Sequence, residues 1–203
     1  MIERIDTNVG RLITYLDKAG LPENTVIIFT SENGYNSLQS YTNQLREAKG
    51  QIYEGGIKVP AFINWKGTFK PAVRSENITV LDYFPTLLDL AEINDYKGQL
   101  DGDSILPIVR GGKEISADQR MLIWYIAGTY KHAPCIMMKK GQMKYINFIN
   151  NGKQELYNLT DDPTEQNNLA SKMPKLASSF KQQMIHWVTT NKVALPKASK
   201  LMQ

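Results

Sequence analysis

The chain has 203 residues, 42% hydrophobic and 22% charged, ordinary for a globular protein and enough to bury roughly 70% of its unfolded surface. Its 24 basic and 20 acidic residues leave a net charge of +4; the signs are interspersed, so no nucleic-acid partner is implied, and an anionic substrate is only slightly favoured. The single cysteine, Cys135, excludes an intramolecular disulfide and a cysteine-built zinc site, and no apolar run approaches the ~20 residues of a membrane-spanning helix.

Met1 leads straight into the charged stretch Ile2-Glu3-Arg4-Ile5, so no leader peptide is expected and the compartment stays open. Ile2, Ile5, Val9, Leu12, Ile13 and Leu16 fall at three- and four-residue spacings and predict an amphipathic helix ending near Gly20, with Pro22 preventing continuation. Thr25-Val26-Ile27-Ile28-Phe29-Thr30 is a continuous β-branched run, which predicts a strand buried on both faces, as in a parallel sheet. Ser31-Glu32-Asn33-Gly34 follows at its carboxyl end, the edge where open α/β sheets bind ligands.

The segment from Tyr35 to Gly56 lacks apolar periodicity and reads as a long loop. Its second part, Leu45 to Gly56, is dense in charge and carries the pair Gly55-Gly56, which permits positive φ values or a close backbone approach. A charged loop on such a hinge suits the placement of a cation against an anion; a solvated turn before a strand is the plainer alternative. Pro60-Ala61-Phe62-Ile63-Asn64-Trp65 predicts a second buried strand. Leu81, Phe84, Leu87, Leu88 and Ala91 predict a helix with Pro85 in its first turn.

A change of character follows Gly111-Gly112. Four short strand-like runs, at Met121–Ile126, Cys135–Met138, Met143–Ile149 and Glu155–Tyr157, are separated by turn signals that include Asn150-Asn151-Gly152. A last helix is expected from about Pro174 to Val188, with Leu176, Phe180, Met184, Trp187 and Val188 along one side. The expected organisation is an α/β part over residues 1–112 and an antiparallel β-sheet subdomain with a C-terminal helix over 113–203.

In order along the chain, Leu45-Arg46-x-x-Lys49-Gly50-x-x-Tyr53-Glu54-Gly55-Gly56-Ile57-Lys58-Val59-Pro60, Asp82 to Ala91, Leu100 to Pro107 and Glu155 to Ala170 resemble successive blocks of the sulfatase family, within the alkaline-phosphatase-like superfamily. The Tyr-Glu-Gly-Gly loop is the specific part. The resemblance covers the C-terminal portion of that family and implies an α/β core followed by a small antiparallel sheet packed on a C-terminal helix.

It also implies site residues. The family's Asp-Asn pair after the strand holds a divalent metal, usually calcium; here that pair is Glu32-Asn33, a departure by one methylene. A carboxylate and an amide oxygen are hard donors that calcium accepts. Lys49 stands where the family has a sulfate-contacting lysine, whose compact ammonium neutralises developing charge. Tyr53, Glu54 and Arg46 are read as anchors of the loop. His186 is read as a packing or surface residue, and His132 as a loop residue facing a substrate or merely solvent.

Equally informative is what this stretch lacks. The family's nucleophile is a formylglycine made within Cys/Ser-x-Pro-x-Arg, and no such motif is encoded here, since Cys135 is followed by Ile136-Met137. The early Asp-Asp metal pair is absent too, so Glu32 and Asn33 alone are expected to hold calcium weakly. The reading is a sulfuric ester hydrolase portion, inactive alone, acting on a sulfated small molecule or glycan when completed by an N-terminal half. The alternative is a non-enzymatic module binding sulfated glycan or a partner protein. An apolar strand without its partners also predicts self-association.

Overall fold

A computed structural model describes residues 2–36, 45–112, 120–128, 133–197 and 199–201. The chain divides into two compact units, residues 1–31 with 60–115, and residues 32–59 with 116–203. The expected division at 112/113 placed residues 32–59 with the first part; here they pack with the second, because the apolar side chains of that loop cover a sheet face.

In the first unit, helix α1 (Ile2–Lys18) is followed by strand β1 (Val26–Thr30). Strand β2 (Ala61–Trp65) pairs antiparallel with β1, Val26 opposite Trp65 and Thr30 opposite Ala61. The expectation of a doubly buried strand in a parallel sheet is corrected here: Phe29 on β1 and Phe62 on β2 are 38% and 65% exposed. Among the described residues β2 is the only strand paired with β1, and no residue of α1 is buried. The β-branched composition specified a strand, but a covering layer has to come from elsewhere in a fold.

Helix α3 (Tyr83–Leu90) is preceded by a turn of 3-10 helix over Val80–Asp82. (A one-turn helix α2, Glu54–Ile57, belongs to the second unit.) Pro85 sits in the first turn of α3, as expected. The buried residues there are Asp82, Pro85 and Thr86, whereas Leu81, Phe84 and Leu87 are about half exposed. Asp82 instead organises the region by hydrogen bonding, accepting from the backbone N–H of Thr79 at 2.6 Å and of Asp103 at 3.0 Å. Short helix α4 (Leu106–Val109) closes the unit.

The second unit is built on an antiparallel meander of β3 (Met121–Ile126), β4 (Cys135–Lys140), β5 (Met143–Phe148) and β6 (Lys153–Asn158). The tight β4–β5 and β5–β6 connections use Gly141 and Gly152 at φ 55° and 75°, a left-handed conformation that glycine adopts without steric cost. Helix α5 (Pro174–Thr190) begins with proline, whose missing N–H is not needed there. It lays Ala177, Phe180, Met184 and Val188 against Ile136, Met138, Tyr145 and Leu156. Phe180 stacks on Tyr145 with ring centroids 5.7 Å apart. Each of the buried Val, Leu, Ile, Phe and Met side chains contributes roughly 1.5–3 kcal/mol.

The opposite face carries Cys135, Met137, Ile146, Phe148 and Tyr157, covered by Ile52 and Tyr53 of the loop. Burial on both sides explains why β4 opens on the continuous apolar run Cys135-Ile136-Met137-Met138 rather than an alternating one.

Candidate functional site

The loop is seated on the sheet by charge as well as by apolar contact. Strand alternation places Lys139, Lys144, Glu155 and Tyr157 on the loop-facing side. Lys144 is fully buried and its ammonium lies 3.0 Å from Glu54 Oε1 and 2.8 Å from Glu165 Oε1. Lys139 reaches Glu54 Oε2 at 3.4 Å. The other oxygen of Glu165 accepts the backbone N–H of Glu54 at 2.7 Å, at the start of α2. Glu165 is aimed inward by a turn in which the Asp162 carboxylate accepts the N–H groups of Gln166 and Asn167 at 3.0 and 2.7 Å.

A second set adjoins the first. The hydroxyls of Tyr53 and Tyr157 both donate to Glu155 Oε2 at 2.8 Å. The Arg46 guanidinium lies 3.7 Å from the centre of the Tyr53 ring and donates to Tyr157 Oη at 3.0 Å and to the Glu165 carbonyl at 2.7 Å. Burial and the hydrogen bond to Glu155 push the Tyr53 and Tyr157 hydroxyls well above their ordinary range, so both act as neutral donors. Tyr53, Glu54 and Arg46 thus anchor the loop, as expected from the sequence.

Between these anchors lies Lys49. Gly34 N–H donates to the Gly56 carbonyl at 2.8 Å, and Lys49 N–H to the Tyr35 carbonyl at 2.9 Å. These bonds draw Glu32-Asn33 against the loop, bringing Lys49 Nζ 3.4 Å from Glu32 Oε1 across 17 positions of sequence. The Asn33 side-chain amide donates to the same oxygen at 2.8 Å. Asn33 first, then Lys49, hold the Glu32 carboxyl below its ordinary value. Both side chains of the ion pair are largely exposed, at 55% and 83%, so water screens the pair and the backbone holds them together.

The glycines act here through close approach. A Cβ on Gly34 would strike the Gly55 carbonyl, one on Gly55 the Glu47 and Arg46 carbonyls, and one on Gly56 the Gln51 carbonyl. Positive φ falls instead at Glu47 (58°) and Gly50 (91°).

The structure therefore brings Glu32, Asn33 and Lys49 into one cluster. His186 is an exposed residue of α5, and His132 lies outside the described residues. Buried Cys135 has its thiol pushed up to about 12, chiefly by burial, which leaves it inert as a nucleophile. Sequence reasoning missed Lys139, Lys144, Glu155 and Glu165. A lysine directly following an apolar strand run, as Lys139 does, was the available signal. As for a metal, Glu32 and Asn33 offer two oxygen donors against the six to eight of a calcium shell. No group of three or more His, Cys, Asp or Glu gathers for a metal among the described residues.

These buried carboxylates carry a pH dependence. For Glu54, burial raises the carboxyl, but Lys144 and Lys139 outweigh it and hold it below its ordinary value of 4.5. Glu155 is likewise lowered, with burial opposed by Lys153, Tyr53 and Tyr157. Carboxyls lowered by folding stabilise above their ordinary range and lose that contribution as pH falls through the lowered values. Glu165 is raised by burial and offsets part of the loss. The thermal midpoint is therefore expected to fall as pH drops below the ordinary carboxyl value of 4.5, and less steeply in Glu54→Gln. Equal slopes for the two proteins would refute this assignment.

Two family models match, one described as Sulfatase over residues 1–93 and one as N-sulphoglucosamine sulphohydrolase, C-terminal, over residues 48–190. The chain belongs to the sulfatase family. It is 28% identical over 220 aligned residues to a sulfatase of Formosa agariphila, across 94% of this chain and 39% of that protein. It is 29% identical over 174 residues to an N-acetylglucosamine-6-O-sulfatase of Bacteroides thetaiotaomicron, across 83% of this chain and 30% of that protein. A protein solved in complex with its substrate D-glucosamine-2-N,6-O-disulfate superposes with a TM-score of 0.74 at 23% identity. That likeness of fold spans 94% of this chain and 39% of the other. The chain thus corresponds to the C-terminal portion of a sulfatase and spans less than two fifths of these proteins' length.

Proposed function

We propose that this chain forms one side of the catalytic centre of a sulfuric ester hydrolase and is inactive until an N-terminal half supplies the nucleophile. The observation that carries the reading is the meeting of Lys49 with Glu32 at 3.4 Å, next to Asn33, on a loop locked to the sheet. Lys49 binds the sulfate and neutralises charge developing on it as the S–O bond breaks. The Glu32 carboxylate and Asn33 amide oxygen would be two ligands of a calcium ion, with the remaining ligands supplied by the other half. Calcium, when bound, withdraws charge from the sulfate oxygens.

A sulfated glycan or small molecule is the proposed substrate, supported by the sulfated amino sugar held by the structural neighbour. Phe29 and Phe62 stay exposed in the first unit, which supports association with that half or with a second copy.

Incubated with an aryl sulfate and calcium, this chain is expected to show no turnover above buffer. Mixed with an upstream half carrying Cys/Ser-x-Pro-x-Arg in its formylglycine form, it is expected to restore hydrolysis. Clear hydrolysis by the chain alone, or none from the pair, would sink the proposal.

A further inference from the structure

The buried cations of the sheet pose a question that sulfate chemistry does not answer. Lys139 on β4 and Lys144 on β5 are directly paired across the two strands, and both are buried. Like charges facing each other across a strand pair are destabilising, and an uncompensated buried charge is far worse. The sheet alone thus presents a doubly positive socket. Glu165 matches one charge, and Glu54, the only loop residue ion-paired to these lysines among the described contacts, matches the other.

From this arrangement we propose that Lys139, Lys144 and Glu165 are positioning residues: they fix, through Glu54, the backbone on which Lys49 meets Glu32-Asn33. The geometry is specific. Glu54 bridges the two lysines, one carboxylate oxygen to each. Glu165 takes Lys144 with one oxygen and the Glu54 backbone N–H with the other, so it sets both the position and the direction of α2. The last residues of that turn carry the connection onward, because the Gly56 carbonyl accepts from Gly34 N–H, one residue beyond Asn33. A chain of direct contacts therefore joins the buried quartet to the exposed cluster. Apolar packing of Ile52 has no direction; a carboxylate bridging two fixed ammonium groups accepts one offset, and it adds to the directional bonds that Tyr53 and Arg46 make with Glu155, Tyr157 and the Glu165 carbonyl.

The inference rests on the reading of Lys49 as the sulfate-facing residue, but its test does not use activity. Amide hydrogen exchange on the full chain compares wild type with Glu54→Gln, which keeps the shape of the side chain and removes its charge. Protection of the Gly34 and Lys49 amides is expected to fall at least tenfold, while the paired amides of β4 and β5 stay within twofold of wild type. Lys139→Met, at the more accessible end of the quartet, should reproduce the pattern, and it carries the measurement if Glu54→Gln fails to fold. Unchanged protection at Gly34 and Lys49 would overturn the proposal. So would an equal loss throughout the sheet, the mark of a merely structural role. Failure of Lys49→Ala to weaken sulfate binding would instead refute the assigned role of Lys49, and leave the exchange result standing.

Discussion

Replacing Lys144 with Met is expected to destabilise the second unit by about 3–5 kcal/mol, the penalty for removing one partner of a buried ion cluster. The side chain of Lys144 is fully buried, with one carboxylate at 3.0 Å and another at 2.8 Å. Its loss leaves Glu54 with Lys139 at 3.4 Å and takes from Glu165 the ammonium at 2.8 Å. Methionine fills much of the vacated volume, so the loss reflects the stranded carboxylates more than a cavity. A change of this size lowers the thermal midpoint of a unit of this length by at least about 10 °C, readable by circular dichroism at neutral pH. A midpoint within a few degrees of wild type would show that the quartet has no part in stability.

The second large effect is on catalysis. In the enzyme completed by its N-terminal half, Lys49→Ala is expected to lower turnover of an aryl sulfate by about 10²–10³, as for removal of one preorganised group facing transition-state charge. Stability should hardly change, because the Lys49 side chain is 55% exposed and its ion pair is screened by water. The pair of variants would thus separate the two proposed roles, an effect on rate for Lys49 and a large effect on stability for Lys144. Steady-state kinetics and a melting curve on each variant check the division. A melting loss for Lys49→Ala equal to that for Lys144→Met would contradict it.

Much of the second unit was legible in the sequence. Glycines at the tight turns punctuate four β-rich runs, and the spacing of Phe180, Met184 and Val188 marks the face that α5 buries. These signals are local, set by backbone sterics and by the period of each element. The environment of β1 was not legible. Its apolar run is right for a doubly covered strand, yet among the described residues it has one antiparallel neighbour and Phe29 is exposed. Composition records what a strand can bury, not what covers it.

The loop around Lys49 shows the same division. From its sequence alone came the charge, the glycines and the family pattern, and hence the candidates Lys49, Glu32 and Asn33. That Gly34, Gly55 and Gly56 serve close packing rather than positive φ was decided by the tertiary structure, as was the loop's place on the sheet. Glu54 finds Lys139 and Lys144 from 85 and 90 positions away, and Glu165 from 111. A buried charge selects its partner by distance in space once water is excluded, and no local pattern encodes that distance.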